Sequence, residues 1–187
     1  MLIIIGASGF LGSYAIRSAL EQTDEDILAV SSSGECAFTS GRVRSVKCDV
    51  CDYSSVSELA NQYNSPNAKI LYLAACHNVD YVEQYPREAE KVNIDALNNF
   101  LKCFAGCGRL LFSSSDTVYG EGSEGVLFNE SSPLVPVNVY GAQKAMAESL
   151  VGKAGGVSVR FPFLAGRSLN PKRKNFSDVI AQTVLSG

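Results

Sequence analysis

Residues 2–12 read LIIIGASGFLG, an apolar run that leads directly into a glycine motif at the start of the chain. A short, continuous, β-branched run is typical of a strand that is covered on both faces, as in a parallel sheet. The glycines have the spacing G-x-x-G-x-x-G, and apolar residues with helical spacing follow from Phe10 to Leu20. The stretch therefore predicts a first strand, a tight turn and a first helix.

The three glycines of this turn have separate physical roles. Gly6 permits the tight turn, Gly9 lets the backbone approach a pyrophosphate, and Gly12 lets the helix pack closely on the strand. The amino end of the helix then offers N–H groups and its dipole to the anion. The pattern predicts dinucleotide binding, with a purely structural turn as the alternative. The predicted cofactor loop is Gly6, Ala7, Ser8, Gly9, Phe10, Leu11 and Gly12.

Strand and helix patterns alternate along the rest of the chain. Further strands are predicted at residues 27–30, 43–48, 70–74, 110–112 and 157–161. Helices are predicted over residues 54–63, 86–104, 139–151 and 177–185, and the Gly-, Ser- and Pro-rich residues 121–136 are predicted to form a loop. This alternation predicts an α/β fold, a doubly wound parallel sheet of the Rossmann type with three α/β/α layers.

Composition excludes several classes of protein. The chain has 187 residues, 46 % hydrophobic and 19 % charged, which is ordinary for a globular protein and not for a disordered one. Its net charge of −3 provides no basic field for nucleic acid, and no apolar run approaches the length of a membrane helix. The first residues lack the basic region of a signal peptide, so we expect a cytoplasmic protein.

Six cysteines raise the question of disulfides or a metal. Cys48 and Cys51 form a C-x-x-C, and Cys103 and Cys107 lie four residues apart in a helical pattern. Zinc needs four converging ligands, and His77 is the only histidine. We expect ordinary reduced thiols and no metal site.

The end of the second predicted strand bears on the choice of cofactor. An acidic residue for the adenosine ribose is expected there, but the chain has Ser31, Ser32 and Ser33. A carboxylate would repel a 2′-phosphate, whereas serines with the nearby Arg42 or Arg44 could bind one. This favours NADP slightly over NAD, and the alternative is that the serines only line a solvated turn.

Tyr140 and Lys144 lie one helical turn apart on one face of a predicted helix. A tyrosine ionises near pH 10, but an adjacent ammonium lowers its pKa. Such a pair can move a proton to or from a carbonyl oxygen during hydride transfer. Ser115 follows the fifth predicted strand, where it would face the ligand crevice and could orient the substrate carbonyl. A serine-rich turn without function is the alternative for Ser115.

Together these residues resemble the extended short-chain dehydrogenase/reductases, over essentially the whole chain. Within that family the segments Val79-Asp80 with Glu83, Val92-Asn93, Ser114-Ser115-Asp116 and Asn175-Phe176 look most like the dTDP-4-dehydrorhamnose reductase branch. The chain departs from the family pattern at Ile5, where many members have Thr, and at the serine run.

The resemblance implies roles for particular positions. Ser115, Tyr140 and Lys144 would be catalytic, and the segment from Arg160 to Gly166 would pass near the nicotinamide. Beyond the glycine loop, the implied cofactor-binding residues are Ser31, Ser32, Asp49, Val50, Ala74, Ala75, Asn93, Ser113, Tyr140, Lys144 and Phe163. The implied substrate contacts are Cys76, His77, Ser115 and Asp116.

Two features have competing interpretations. His77 is either a substrate contact or a passive, partly exposed loop residue. Arg167 with Lys172, Arg173 and Lys174 forms a basic cluster that could meet the diphosphate of a nucleotide sugar, although a solvated charge run is commoner.

The resemblance implies an NAD(P)-dependent reductase of a nucleotide-linked 4-keto-6-deoxy sugar, with Tyr140 as proton donor. The alternatives are a nucleotide-sugar epimerase or dehydratase that uses bound NAD, and a non-catalytic dinucleotide-binding regulatory subunit. Residues 1–166 would form the cofactor domain, and residues 167–187 would begin a truncated substrate lobe. We therefore expect cofactor binding with poor sugar turnover, and a homodimer is a further possibility.

Overall fold

The computed structural model describes residues 1–122, 124–170 and 175–186. Six strands form one sheet in the order β3-β2-β1-β4-β5-β6, and every neighbouring pair is parallel. The strands are β1 (Leu2–Ile5), β2 (Ile27–Ser31), β3 (Val43–Lys47), β4 (Lys69–Tyr72), β5 (Arg109–Ser115) and β6 (Val157–Phe161). The predicted doubly wound α/β fold is confirmed.

Seven α-helices connect or follow these strands within the described residues. They are α1 (Phe10–Gln22), α2 (Tyr53–Tyr63), α3 (Val79–Gln84), α4 (Pro86–Glu90), α5 (Ala96–Cys103), α6 (Val139–Lys153) and α7 (Phe176–Ser186). A π-helical turn, Lys91–Asp95, joins α4 to α5, and a 3₁₀ turn, Asp116–Tyr119, follows β5.

Alternation along β1 builds a core on each face of the sheet. Ile3 and Ile5 pack into a cluster with residues of α2, α5 and α6, whereas Ile4 packs into a second cluster with Ile16 of α1. Successive side chains of a strand point to opposite faces, so an unbroken isoleucine run serves both cores. Because helices cover both faces of the sheet, the ends of its strands are left open to a ligand.

The reversal of strand order places that ligand crevice. In the sheet, β1 lies between β2 on one side and β4 on the other. Connections that leave neighbouring strands in opposite directions open a crevice at their carboxyl ends, where ligands bind in open α/β sheets. The glycine loop leaves β1 at this point.

The structure corrects three details of the predicted elements. The serines at 113–115 lie within β5 rather than after it, because β6 pairs with them and extends the strand. The predicted helix over residues 86–104 is interrupted by the π-helical turn. Helix α3, which is capped by the Asn78 side chain, was not predicted.

Candidate active site

A cavity of about 790 Å³ opens at the carboxyl ends of the strands. Most of the predicted site residues contribute to its wall, although they come from distant parts of the chain. The lining includes Gly6, Ser8, Gly9, Phe10, Leu11, Gly12, Ser31, Ser32, Asp49, Val50, Ala74, Ala75, His77, Ser113, Ser115, Tyr140, Lys144 and Phe163.

Close backbone packing explains two of the loop glycines. Gly6 has φ +89°, and a Cβ there would lie 2.9 Å from the backbone nitrogen of Ala74 at the end of β4. A Cβ at Gly12 would lie only 2.4 Å from the carbonyl oxygen of Gly6. A larger residue at either position would clash with backbone atoms and force the backbone to move. The two glycines therefore allow the loop to pack tightly.

The amino end of α1 has the character of an anion site. Its N-cap residue is Gly9, which has no side chain to satisfy the amides of the first turn. Gly9, Phe10, Leu11 and Gly12 all line the cavity. A helix start of this kind stabilises phosphate oxygens through N–H groups and the helix dipole. The cradle therefore fits the diphosphate of a dinucleotide.

The ends of β2 and β3 form one end of the cavity, where the sequence predicts the adenosine. Asp49 lines the cavity, and its Oδ1 accepts a hydrogen bond from the backbone nitrogen of Cys51 at 3.0 Å. Ser31 donates through Oγ to the carbonyl oxygen of Glu35 at 3.1 Å, so part of its hydrogen-bonding capacity serves the local turn. Ser32 lies beside it on the wall.

The expectation that Arg42 or Arg44 could bind a 2′-phosphate is wrong. Both arginines lie at the amino end of β3. Since β2 and β3 are parallel, this end is opposite the carboxyl end of β2, where the serines and the cavity lie. Arg42 donates to carbonyl oxygens at the end of α1, including that of Leu20 at 2.7 Å. The Arg44 guanidinium lies 5.8 Å from the ring centre of Tyr63.

Tyr140 and Lys144 extend from the first turns of α6 into the other end of the cavity. Asn138 caps the helix by accepting from the Gly141 nitrogen at 2.7 Å. Gly141 allows α6 to approach the 3₁₀ turn, because a Cβ there would lie 2.6 Å from the Thr117 carbonyl oxygen. The Lys144 ammonium donates to the Ser113 carbonyl oxygen at 2.8 Å and lies 5.8 Å from the ring centre of Tyr140.

The pKa of the tyrosine does not shift in the expected direction. Burial raises the pKa of Tyr140 to about 12, and the Asp116 carboxylate and Cys76 thiol add to the effect. Burial also lowers the pKa of Lys144 to about 8, although the Glu148 carboxylate opposes the change. Desolvation disfavours the charged forms of both groups, and it is the largest cause of both shifts.

Ser115 also lines the cavity, and its hydroxyl organises the 3₁₀ turn. Its Oγ accepts from the Thr117 backbone nitrogen at 3.3 Å and from Thr117 Oγ1 at 3.0 Å. It donates to Asp116 Oδ1 at 3.2 Å. These contacts fix the hydroxyl near the cavity wall.

An ion pair joins α6 to strand β6. Arg160 of β6 donates to both carboxylate oxygens of Glu148, at 2.9 and 2.7 Å, and to the Tyr119 hydroxyl at 2.8 Å. Although burial opposes it, the Arg160 guanidinium lowers the pKa of Glu148. Glu148 follows Lys144 by one helical turn, so the pair anchors the helix that carries the lysine.

Four predicted site residues do not line the cavity but contact residues that do or lie next to them in the chain: Ala7, Cys76, Asn93 and Asp116. Ala7 is fully buried beneath the loop, and Asp116 contacts the Ser115 hydroxyl. Asn93 is 4 % exposed, and its amide both accepts from the Cys76 nitrogen and donates to the Cys76 oxygen. These residues therefore position the wall.

Other wall residues were not among the predicted contacts. Phe161, Pro162 and Leu164 belong to the segment expected to pass near the nicotinamide, and Cys48 and Cys51 flank the predicted Asp49. Val79 and Val92 come from α3 and the π-helical turn, whose existence the sequence pattern did not reveal.

The remaining expectations concern the basic cluster, the cysteines, a metal site and a membrane span. Lys172, Arg173 and Lys174 of the basic cluster lie outside the described residues. All six cysteines are free thiols. Among the residues that the structure describes, no cluster of three or more His, Cys, Asp or Glu side chains could hold a metal ion. No helix in this described part is long and apolar enough to span a bilayer.

Known proteins resemble this chain in sequence and fold. Methionine adenosyltransferase 2 subunit beta of Pongo abelii is 29 % identical over 168 residues, which cover 88 % of this chain and 47 % of that protein. dTDP-glucose 4,6-dehydratase of Mycobacterium tuberculosis is 28 % identical over 160 residues, which cover 80 % of this chain and 47 % of the enzyme. The chain spans about half the length of these relatives.

The fold also matches a UDP-glucose 4-epimerase of Thermus thermophilus that was solved in complex with NAD. The TM-score is 0.81 at 22 % identity, over 97 % of this chain and 60 % of that one. The narrower resemblance to the dTDP-4-dehydrorhamnose reductase branch is not supported by these relatives, which bear other names.

A family model matches the chain from residue 2 to residue 185, from the first strand into α7. The resemblance to extended short-chain dehydrogenase/reductases is thus confirmed at the level of the family, and the chain belongs to the NAD dependent epimerase/dehydratase family.

Proposed function

We propose that the chain forms the cofactor-binding and catalytic part of an NAD-dependent enzyme that acts on a nucleotide-linked sugar without net oxidation or reduction, as an epimerase or a dehydratase. One observation carries the proposal: Ser115, Tyr140 and Lys144 line the same cavity as the glycine loop. The relatives named as a dehydratase and an epimerase favour this chemistry over the reductase that the sequence suggested.

The cofactor proposed for this cavity is NAD. The two arginines offered by the sequence for a 2′-phosphate contact helix α1 and Tyr63 instead of the cavity. The Thermus thermophilus epimerase was solved with NAD. When bound, NAD supplies a hydride acceptor that can return the hydride to the sugar.

The side chains of this chain handle the proton. Tyr140 would take the proton of a sugar hydroxyl while its carbon is oxidised, and would return it in the reverse step. Ser115 would orient that oxygen. Because burial raises the pKa of Tyr140 to about 12, the phenolate is scarce at neutral pH.

The test is a product analysis in which a high concentration of the chain is incubated for a long time with NAD and either UDP-glucose or dTDP-glucose, because slow sugar turnover is expected of this chain. We expect a C4 epimer or a 4-keto-6-deoxy sugar, with the total amount of oxidised NAD unchanged at the end. Net consumption of NADPH with a 4-keto sugar would instead establish a reductase and overturn the proposal.

A regulatory subunit is a second candidate, because the Pongo abelii relative is named as a subunit of another enzyme. Tyr140→Phe separates the two functions, since a binding subunit does not need the phenol. A catalyst should lose nearly all turnover while it still binds NAD. A biological activity that survives the substitution would favour the regulatory function.

A further inference from the structure

The chain that leaves β6 returns to the glycine loop. We call residues 162–170 the return segment. Its first residues, Pro162, Phe163 and Leu164, line the cavity. Its last residue, Asn170, reaches the loop that begins the fold. The segment thus connects the far wall of the cavity to the proposed diphosphate cradle.

Asn170 makes a direct contact with this cradle. It is 5 % exposed, and its Nδ2 donates to the backbone carbonyl oxygen of Ser8 at 3.1 Å. Ser8 is itself 4 % exposed and lies between the first two glycines of the loop. The contact joins residues 162 positions apart, so it is a tertiary contact and not a local turn.

This contact fixes one side of a peptide unit whose other side is already held. The Gly9 nitrogen, which belongs to the same peptide as the Ser8 oxygen, donates to the Gly6 carbonyl oxygen at 3.1 Å. A trans peptide is planar, so two hydrogen bonds on opposite sides define its orientation. That peptide immediately precedes the first-turn amides of α1.

Two further contacts hold the return segment on α1. The Tyr14 hydroxyl donates to the Arg167 carbonyl oxygen at 2.9 Å. Gly166 lies against the Phe10 ring, since a Cβ at Gly166 would be 3.1 Å from its Cζ atom. Phe10 is one of the cavity-lining residues of the loop.

The return segment is also held by contacts with α7 and with Asn175, the residue before it. The Ser168 nitrogen donates to both carboxylate oxygens of Asp178 at 3.1 Å, and Asn175 Nδ2 donates to the Gly166 carbonyl oxygen at 2.8 Å. Ser168 Oγ accepts from the Asn170 nitrogen at 3.2 Å. Asn170 is therefore presented to the loop by a preformed scaffold.

We infer that Asn170 is a positioning residue for the dinucleotide: it holds the Ser8–Gly9 peptide so that the first-turn amides of α1 face the diphosphate, and it slows cofactor release. The inference rests on the proposed function, in which the same NAD must stay bound between the two hydride transfers of one cycle. It assigns a cofactor-retaining role to a residue far from the glycine motif in sequence.

The test compares Asn170→Ala with Asn64→Ala. Asn64 is a matched control because its Nδ2 also donates to carbonyl oxygens, those of Cys103 and Ala105, away from the cavity. We expect Asn170→Ala to weaken NAD and ADP binding and to speed NAD release by about fivefold, while adenosine binding is unchanged. Asn64→Ala should leave all of these unchanged.

Two results would overturn the inference: NAD release that is the same in both variants, or an equal loss of adenosine and ADP binding, which indicates general loosening. If Asn170→Ala does not fold, Tyr14→Phe takes its place with the exposed Tyr53→Phe as control, under the same criteria. A wild-type chain that binds no NAD would refute the proposed function itself, so the two failures are distinguishable.

Discussion

Asn93 on the π-helical turn donates through Nδ2 to Oε1 of Gln143 on α6 at 2.8 Å, across 50 residues of sequence. Both amides are almost fully buried. Asn93 also holds the backbone of Cys76, and Gln143 donates to the Pro86 carbonyl oxygen at 3.0 Å. This amide pair ties the segment after β4 and the start of α4 to the helix that carries Tyr140 and Lys144.

The amide pair should be energetically coupled. Asn93→Ala and Gln143→Ala should each destabilise the chain by about 1–3 kcal/mol, because each leaves a buried polar partner unsatisfied. The double variant should be about 1 kcal/mol more stable than the sum of the single losses predicts. Urea denaturation of the four proteins measures this coupling, and strictly additive losses would show that the pair does not act as a unit.

Gly12→Ala should weaken cofactor binding and lower the free energy of unfolding by about 1–3 kcal/mol, because its Cβ would be forced into the backbone of the glycine loop. Gly152→Ala is the matched control. It also lies in a helix, but a Cβ there meets nothing within 4 Å. The control should be neutral or more stable by up to about 1 kcal/mol. NAD titration and thermal unfolding distinguish the two, and equal behaviour would contradict the packing argument.

Lys144 should give stability a specific pH dependence. Its pKa is about 8 in the fold against 10.5 ordinarily, so the unfolded chain binds the proton more tightly and stability rises with pH between these values. Below pH 8 the buried ammonium costs about 3 kcal/mol at most.

Lys144→Met removes that cost and leaves the Ser113 carbonyl oxygen without its donor at every pH. The free energy of unfolding of the wild type, relative to the variant, should therefore increase between about pH 8 and pH 10. Denaturation curves across this range measure the slope. A difference that stays constant with pH would show that the lysine is not desolvated.

Arg42→Ala should destabilise the chain by about 1–3 kcal/mol, because its charged hydrogen bonds close the end of α1. It should leave the ratio of NAD to NADP affinity unchanged. The control for loss of charge is Arg17→Ala, which removes an exposed arginine from α1 itself. Calorimetric titration with both cofactors checks this, and a selective loss of NADP affinity would place Arg42 at the cofactor after all.

The features that sequence predicted well are local ones. The strand, glycine turn and helix over residues 2–20 follow from adjacent residues, and the spacing of Tyr140 and Lys144 follows from helix geometry. Their convergence on one cavity follows from parallel strands that all end at the same edge. This explains why most predicted site residues line the cavity.

The features that sequence did not predict depend on tertiary contacts. Arg42 is close to the serine run in sequence but lies at the opposite end of the strands. The expected lowering of the Tyr140 pKa failed because burial, which no spacing reveals, outweighs the nearby ammonium. The Asn93–Gln143 and Asn170–Ser8 contacts join residues 50 and 162 positions apart, beyond any local pattern.

The central claim is that this cavity holds NAD and exchanges hydride reversibly with a nucleotide sugar. The most direct test mixes a high concentration of the NAD-loaded chain with UDP-glucose or dTDP-glucose and follows the absorbance of reduced nicotinamide from the first milliseconds until the reaction ends, so that slow turnover is also detected. We predict a transient rise that decays in the wild type and is absent in Tyr140→Phe, which still binds NAD. A wild-type chain that binds NAD and shows no transient with either sugar, or that accumulates reduced cofactor permanently, would contradict the account.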